Sequence, residues 1–222
     1  MKELVILDLD NVIIKDQSQK LLLKYLFKKK LIGFWYFLKI YLWFLFYRVG
    51  LVKSPKKVIE YAFRFLKDKK VEEIDKIADQ FLNEILKHNI FKEVIDIIEK
   101  HKKEDRELII ISNVIDIIVK KVANFLNIKN YIGTRLEIIN DKFTGKILGD
   151  IVYGENKTKY FNNFIKENNL SFDKIWSYGD HITDLDILKI ASNPIAVNPD
   201  RFLEREAKKN NWQILNFKET LL

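Results

Sequence analysis

The rhythm of apolar and polar positions divides the chain into three regions. Leu4-Val5-Ile6-Leu7 is a short apolar run that stops at Asp8. Too short for a helix and rich in branched residues, it reads as a buried parallel strand. From about Lys15 to Phe91 the rhythm is helical, interrupted by only two Gly (Gly33, Gly50) and one Pro (Pro55). Ser54-Pro55 can open a helix, since Ser caps it and Pro suits its first turn. Val58, Tyr61, Ala62, Phe65 and Leu66 follow at helical spacing, and Ile74, Ile77, Phe81, Leu82 and Ile85 mark a further amphipathic segment. From about Lys92 strands and helices alternate. Residues 107–112, 173–178 and 194–197 read as strands, and 116–126, 157–167 and 182–190 as helices. Residues 135–139 and 142–147 pair as a hairpin about Asn140-Asp141. Such alternation predicts an α/β fold, a parallel sheet with helices on both faces.

One segment departs from the amphipathic pattern. Residues 31–47 are apolar nearly all round and hold much of the aromatic content. A helix of this kind is buried or touches a membrane. The run is near the lower length limit for a span, and Lys39 sits in its middle. Its Trp and Tyr suit an interface. Three placements stay open: a helix packed in a cap or at an oligomer surface, a helix on a membrane surface, and a span.

Length adds that 222 residues amount to one domain plus an insertion. Hydrophobic and charged fractions of 48% and 32% exclude bulk disorder. The absence of Cys excludes disulfides, thiolate zinc sites and Cys nucleophiles, and three His argue against a His metal cluster. The net charge is +8, yet only six of the 39 basic residues are Arg. Bidentate phosphate or base recognition favours Arg, so no nucleic-acid partner is expected. The first residues form no secretory h-region. A cytoplasmic location is therefore expected, with membrane association left open by the run at 31–47. No pattern specifies an oligomeric state.

Three predicted strands end in polar residues: Asp8, Ser112 and Asp180. Open α/β sheets bind ligands at the carboxyl ends of their strands, so these side chains are expected to converge. Asp8 and Asp180 are hard oxygen donors suited to Mg²⁺. Asp10 follows Asp8 by two residues, and two such carboxylates can divide labour, one attacking and one moving protons. Ser112 and Lys157 can donate to phosphate oxygens and stabilise charge in phosphoryl transfer.

Leu7-Asp8-Leu9-Asp10-Asn11-Val12 resembles the first motif of the haloacid dehalogenase-like superfamily. Ile110-Ile111-Ser112-Asn113 resembles the second, Gly154-Glu155-Asn156-Lys157 the third, and Gly179-Asp180-His181-Ile182-Thr183-Asp184 the fourth. Tyr131–Glu137, Phe143-Thr144-Gly145 and Val197-Asn198-Pro199-Asp200 look like the phosphoserine-phosphatase-like subfamily. The resemblance covers roughly residues 3–15 and 92–217. It implies a Rossmann-like parallel-sheet core, residues 1–15 and 92–222, with an inserted all-helical cap at 16–91.

The implied activity is Mg²⁺-dependent hydrolysis of a small phosphorylated metabolite through an aspartyl-phosphate. Carried over by motif, Asp8 is the nucleophile and a metal ligand. Asp10 is the acid and base, and gives a backbone carbonyl to the metal. Ser112, Asn113 and Lys157 hold the phosphoryl group. Asp180 binds the metal and Asp184 supports that end of the site. A phosphatase of a phospholipid headgroup such as phosphatidylglycerophosphate, working at an anionic membrane, and a phosphotransferase are the alternatives. Three positions depart from the pattern. Asn11 stands where Gly or Ser is common and is expected to be tolerated, because the position contributes backbone. His181 stands where Ser is common, either touching the metal's water shell or filling space. Gln17 stands where phosphoserine phosphatases carry a Glu, which counts against phosphoserine as substrate.

Overall fold

The computed structural model describes residues 2–48 and 55–221, so the helix cap expected at Ser54 lies outside the described residues. The first strand, β1 (Glu3–Leu7), is followed by helices α1 (Ser18–Lys28), α2 (Phe34–Arg48), α3 (Pro55–Phe63) and α4 (Val71–Phe81). A wide π turn (Leu82–Leu86) and a 3-10 turn then lead into α5 (Lys92–Lys103). The sequence predicts a helix starting near Leu31, whereas α2 starts at Phe34. The reason is local: α1 ends at Lys28, and Lys30 turns the chain with φ of 58°. The alternating region supplies β2 (Glu107–Ile115), α6 (Asp116–Phe125), β3 (Asn130–Thr134), β4 (Leu136–Ile139), β5 (Lys142–Ile147) and α7 (Glu155–Glu167). It ends with β6 (Lys174–Gly179), α8 (Leu185–Lys189), β7 (Asn193–Val197), α9 (Arg201–Lys209) and β8 (Gln213–Leu215).

Six strands form one sheet in the order β3-β2-β1-β6-β7-β8, and every neighbouring pair is parallel. β4 and β5 make a separate antiparallel hairpin, as their pattern predicts. Strand order reverses direction on either side of β1, which makes the β1 end the crevice where open α/β sheets bind ligands.

The apolar run of β1 alternates between two cores. Val5 and Leu7 join one apolar cluster, while Leu4 and Ile6 join another with Ile109, Ile111, Phe161 and Ile187. The first cluster continues without a break from the sheet into the helical region, through Leu22, Leu26, Phe81 and Leu86 to Val94 and Val122. The helices between β1 and α5 therefore share a core with α5 and α6. They are also tied to the hairpin. Phe143 N–H donates to the Lys69 carbonyl at 3.0 Å, and Asp68 N–H donates to the Phe143 carbonyl at 2.9 Å. Gly133 sits where β3 meets α6: a β-carbon there would lie 2.6 Å from the Asp116 α-carbon.

Candidate active site

Parallel pairing sets the geometry at the carboxyl ends of the strands. Leu7 lies level with Ile110 of β2 and Tyr178 of β6, so Asp8 emerges between the ends of both neighbours. Its N–H extends the ladder by donating to the Tyr178 carbonyl at 3.0 Å. α7 begins at Glu155, which puts Lys157 in its first turn. The Lys157 ammonium reaches Asp8 Oδ1 at 2.7 Å and Asp184 Oδ1 at 2.6 Å, and all three side chains are buried. Burial opposes the Lys157 charge, but the Asp184 and Asp8 carboxylates outweigh it and hold the ammonium protonated above its usual range.

The other oxygen of Asp184 accepts from the N–H groups of Asp180 and His181, each at 3.3 Å. This closes the loop after β6 into a tight turn against the aspartate. Gly179 is needed for it, since a β-carbon there would lie 2.9 Å from the Asp184 β-carbon. His181 caps the same turn: its Nδ1 accepts from Thr183 N–H at 3.3 Å. Its side chain is about half exposed and faces Asp200, whose Oδ2 is 3.9 Å away.

Asp10 is held differently. Its Oδ1 accepts the N–H of Ser18, the first residue of α1, at 2.9 Å. The carboxylate thus sits at a helix N-terminus, where backbone donors and the helix dipole favour negative charge. Burial works the other way and is stronger. Together with the charge of Asp8 it pushes Asp10 up to about 7. Burial likewise raises Asp8, despite Lys157 beside it.

Asp8, Asp180 and Asp184 bring carboxylate oxygens within 4.8 Å of one another. Burial, then the charges of Asp8 and Asp184, drive Asp180 well above the carboxylate range. One ammonium therefore serves three clustered acids. An all-oxygen donor set short of positive charge fits a hard divalent cation. The carboxylate of Asp10 is not in this cluster.

Asn11 contributes its backbone, as expected, and its side chain as well. Its Nδ2 donates to Asp180 Oδ2 at 2.9 Å, from a backbone with φ of 56°. Asn tolerates this left-handed conformation better than most residues, so the turn after β1 and the contact come from one choice of side chain. Two further residues support the loops. Asn198 Nδ2 donates to the Asn11 carbonyl at 2.9 Å, and Asp200 N–H donates to the Asp180 carbonyl at 2.8 Å. The segment 197–200, visible in the sequence as a motif, thus braces the turns after β1 and β6.

Ser112 lies fully buried in β2, where its hydroxyl is 3.4 Å from Val114 N. The Asn113 carbonyl accepts from the Thr134 hydroxyl at 2.8 Å and from Gln19 Nε2 at 3.5 Å. Gln17 is exposed at the start of α1. The contacts of Ser18, Thr134 and Gln19 have no counterpart in the motif reading.

Residues 5–189 match the haloacid dehalogenase-like hydrolase family. The chain is 30% identical to a histidinol-phosphatase of Neisseria meningitidis serogroup C, over 98% of this chain and 100% of that protein. It is 29% identical to a probable phosphatase of Mycobacterium tuberculosis, over 66% of this chain and 51% of that one. Among solved structures, a protein of unknown function from Bordetella pertussis Tohama I superposes with a TM-score of 0.90 at 18% identity, covering 97% of this chain and 98% of that one. A phosphoserine phosphatase in a phospho-aspartyl intermediate analogue form superposes with a TM-score of 0.66 at 18% identity, covering 99% and 95%. At these identities the superpositions establish a shared fold.

Proposed function

The chain belongs to the haloacid dehalogenase-like hydrolase family, and we propose that it is a Mg²⁺-dependent phosphomonoesterase working through an aspartyl-phosphate on Asp8. The observation that carries this reading is the buried Asp8–Lys157–Asp184 cluster, with Asp180 beside it and a second acid, Asp10, raised to about 7 on the same loop.

In this reading the Asp8 carboxylate attacks phosphorus while the bond to the leaving oxygen breaks. Asp10, protonated near neutral pH, gives its proton to that oxygen. The Asp10 carboxylate then takes a proton from water, and the hydroxide displaces phosphate from Asp8. Lys157, Ser112 and Asn113 hold the phosphoryl oxygens. Asp8, Asp180 and the Asp10 carbonyl would hold Mg²⁺, with Asp184 near enough to share that role. Mg²⁺ supplies positive charge against the phosphate oxygens. Residues 16–91 serve as the cap over a core of 1–15 and 92–222.

The substrate we propose is a small phosphomonoester. The Neisseria relative is aligned over its whole length and is named for histidinol phosphate, which makes that compound the first to test. Phosphoserine is the second, against which Gln17 counts. The test is release of inorganic phosphate from a panel of phosphomonoesters, with Mg²⁺ and with EDTA. Mg²⁺-dependent release from at least one small phosphomonoester is expected. No release from any member with Mg²⁺ present would overturn the proposal.

A further inference from the structure

Helix α2 is apolar on two opposite sides, and the structure covers only one of them. On the inner side Ile40 is buried, and the Tyr36 hydroxyl donates to the Tyr61 carbonyl at 2.6 Å. The Trp43 ring packs 4.9 Å from the Tyr61 ring. On the outer side Phe34, Trp35, Tyr41, Leu42 and Phe46 are all exposed, Trp35 by 77%. Spacings of seven (34/41 and 35/42) and four (42/46) put these residues on one side of the helix. Phe27 and Leu31, also exposed, extend it beyond the start of α2, with the Phe27 ring 6.3 Å from that of Phe34. Contiguous apolar surface of this extent marks an interaction site.

The surrounding charge identifies the partner. Residues 17–59 contain ten Lys and Arg and no Asp or Glu. Lys28 and Lys30 are exposed beside Phe27 and Leu31 and make no ion pair among the described residues. A two-fold interface between copies of this chain would bring these like charges together. An anionic bilayer instead receives the aromatic face at the headgroup boundary and the lysines at its phosphates. No described helix is long and apolar enough to cross a membrane, so α2 would lie in the surface plane.

We infer that the outer face of α2, with Phe27 and Leu31, docks the protein peripherally on anionic lipid bilayers. The inference is independent of the proposed hydrolysis. It does set where that site would sit. α1 runs from Ser18, which holds Asp10, to Lys28 beside the patch. At about 1.5 Å per residue the site stands roughly 15 Å from the membrane-facing end of that helix.

The test is flotation of the full chain with vesicles of phosphatidylcholine alone and of phosphatidylcholine with a quarter phosphatidylglycerol. Binding to the anionic vesicles at low salt is expected, at least tenfold above the neutral ones and reduced by added salt. Trp35→Ser with Leu42→Ser should lower it at least tenfold, and Lys28→Glu with Lys30→Glu should do the same through charge. Both pairs are exposed and outside the site, so any phosphomonoesterase rate on a soluble substrate should stay within about twofold. Absence of binding to anionic vesicles at low salt would overturn the inference. So would binding by both variants as strong as that of the unaltered protein, or a stable dimer that the Trp35→Ser, Leu42→Ser variant abolishes.

Discussion

At the scale of single residues, the difference between a motif and a site is clearest at Asn11. The motif assigns that position a backbone role, yet its side chain donates to Asp180. A residue behind a metal ligand fixes that ligand's orientation, and its loss typically costs about 10–100-fold in metal affinity or activity. Asn11→Ala should therefore raise the Mg²⁺ concentration for half-maximal activity by about 10-fold or more, with part of the rate recovered at high Mg²⁺. Titration of activity with Mg²⁺ checks this, and an unchanged midpoint would remove Asn11 from the site. Asp8, Asp10, Lys157 and Asp180 were legible in the sequence because each lies in a local motif at a strand or helix end. The Asn11 contact was not, because it joins positions 169 residues apart. Thr134 and Asn198 fall within motifs, but their contacts, 21 and 187 residues away, are specified by none, and Ser18 lies outside every motif.

At the scale of elements, the junction of β1 with α1 sets the Asp10 carboxylate. The Ser18 N–H holds it, and Ser18 opens α1 after an extended Gln17 with φ of −87° and ψ of 116°. Proline suits a first helical position, and an extended residue suits the position before proline. Ser18→Pro should thus keep the helix while deleting the N–H donor. A hydrogen bond to a charged group contributes about 1.5–3 kcal/mol, so kcat/KM should fall roughly tenfold or more. Ser18→Ala keeps the donor and should stay within about twofold. Equal losses in the two variants would assign the effect to the hydroxyl or to folding. Strand and helix identities in the alternating region were legible from periodicity. α5, β3, α9 and β8 were not: α5 and α9 are strongly polar, β3 is five residues long and only partly buried, and β8 is three residues long. The break before α2 was hidden in a continuous apolar run, because Lys30 in a left-handed turn carries no sequence signature of its own.

At the scale of the whole molecule, the sheet carries different electrostatics at its two ends. The carboxyl ends hold the aspartate cluster. Near the amino ends of β1 and β2, Arg106 pairs with Glu3 at 2.6 Å and with Glu104, and stacks 3.8 Å over the Trp176 ring. Its Nη1 lies 2.8 Å from His101 Nδ1, and His101 Nε2 lies 2.8 Å from the Tyr178 hydroxyl. Arg can only donate, so Nδ1 accepts and the imidazole is neutral, with its proton on Nε2. Burial and then the Arg106 charge lower His101 to about 4. An unfolded chain takes up this proton near pH 6.5, whereas the fold resists until about 4. The contribution is thus fully present above pH 6.5 and is lost as pH falls towards 4, by at most about 3 kcal/mol. Urea melts from pH 7.5 to 4 check this. His101→Gln should remove that part of the slope, and an identical slope in the variant would assign it to other groups.

The same scale holds the central claim: two buried acids, Asp8 and Asp184, two half-buried ones, Asp10 and Asp180, and the buried Lys157 form one centre for phosphoryl transfer to Asp8. The most direct test compares turnover of Asp8→Asn with that of the unaltered protein on its best phosphomonoester at saturating Mg²⁺, with folding checked by circular dichroism. An amide cannot accept the phosphoryl group as a carboxylate does, so turnover should fall by about 10³-fold or more. Turnover unchanged in the folded variant would contradict the account.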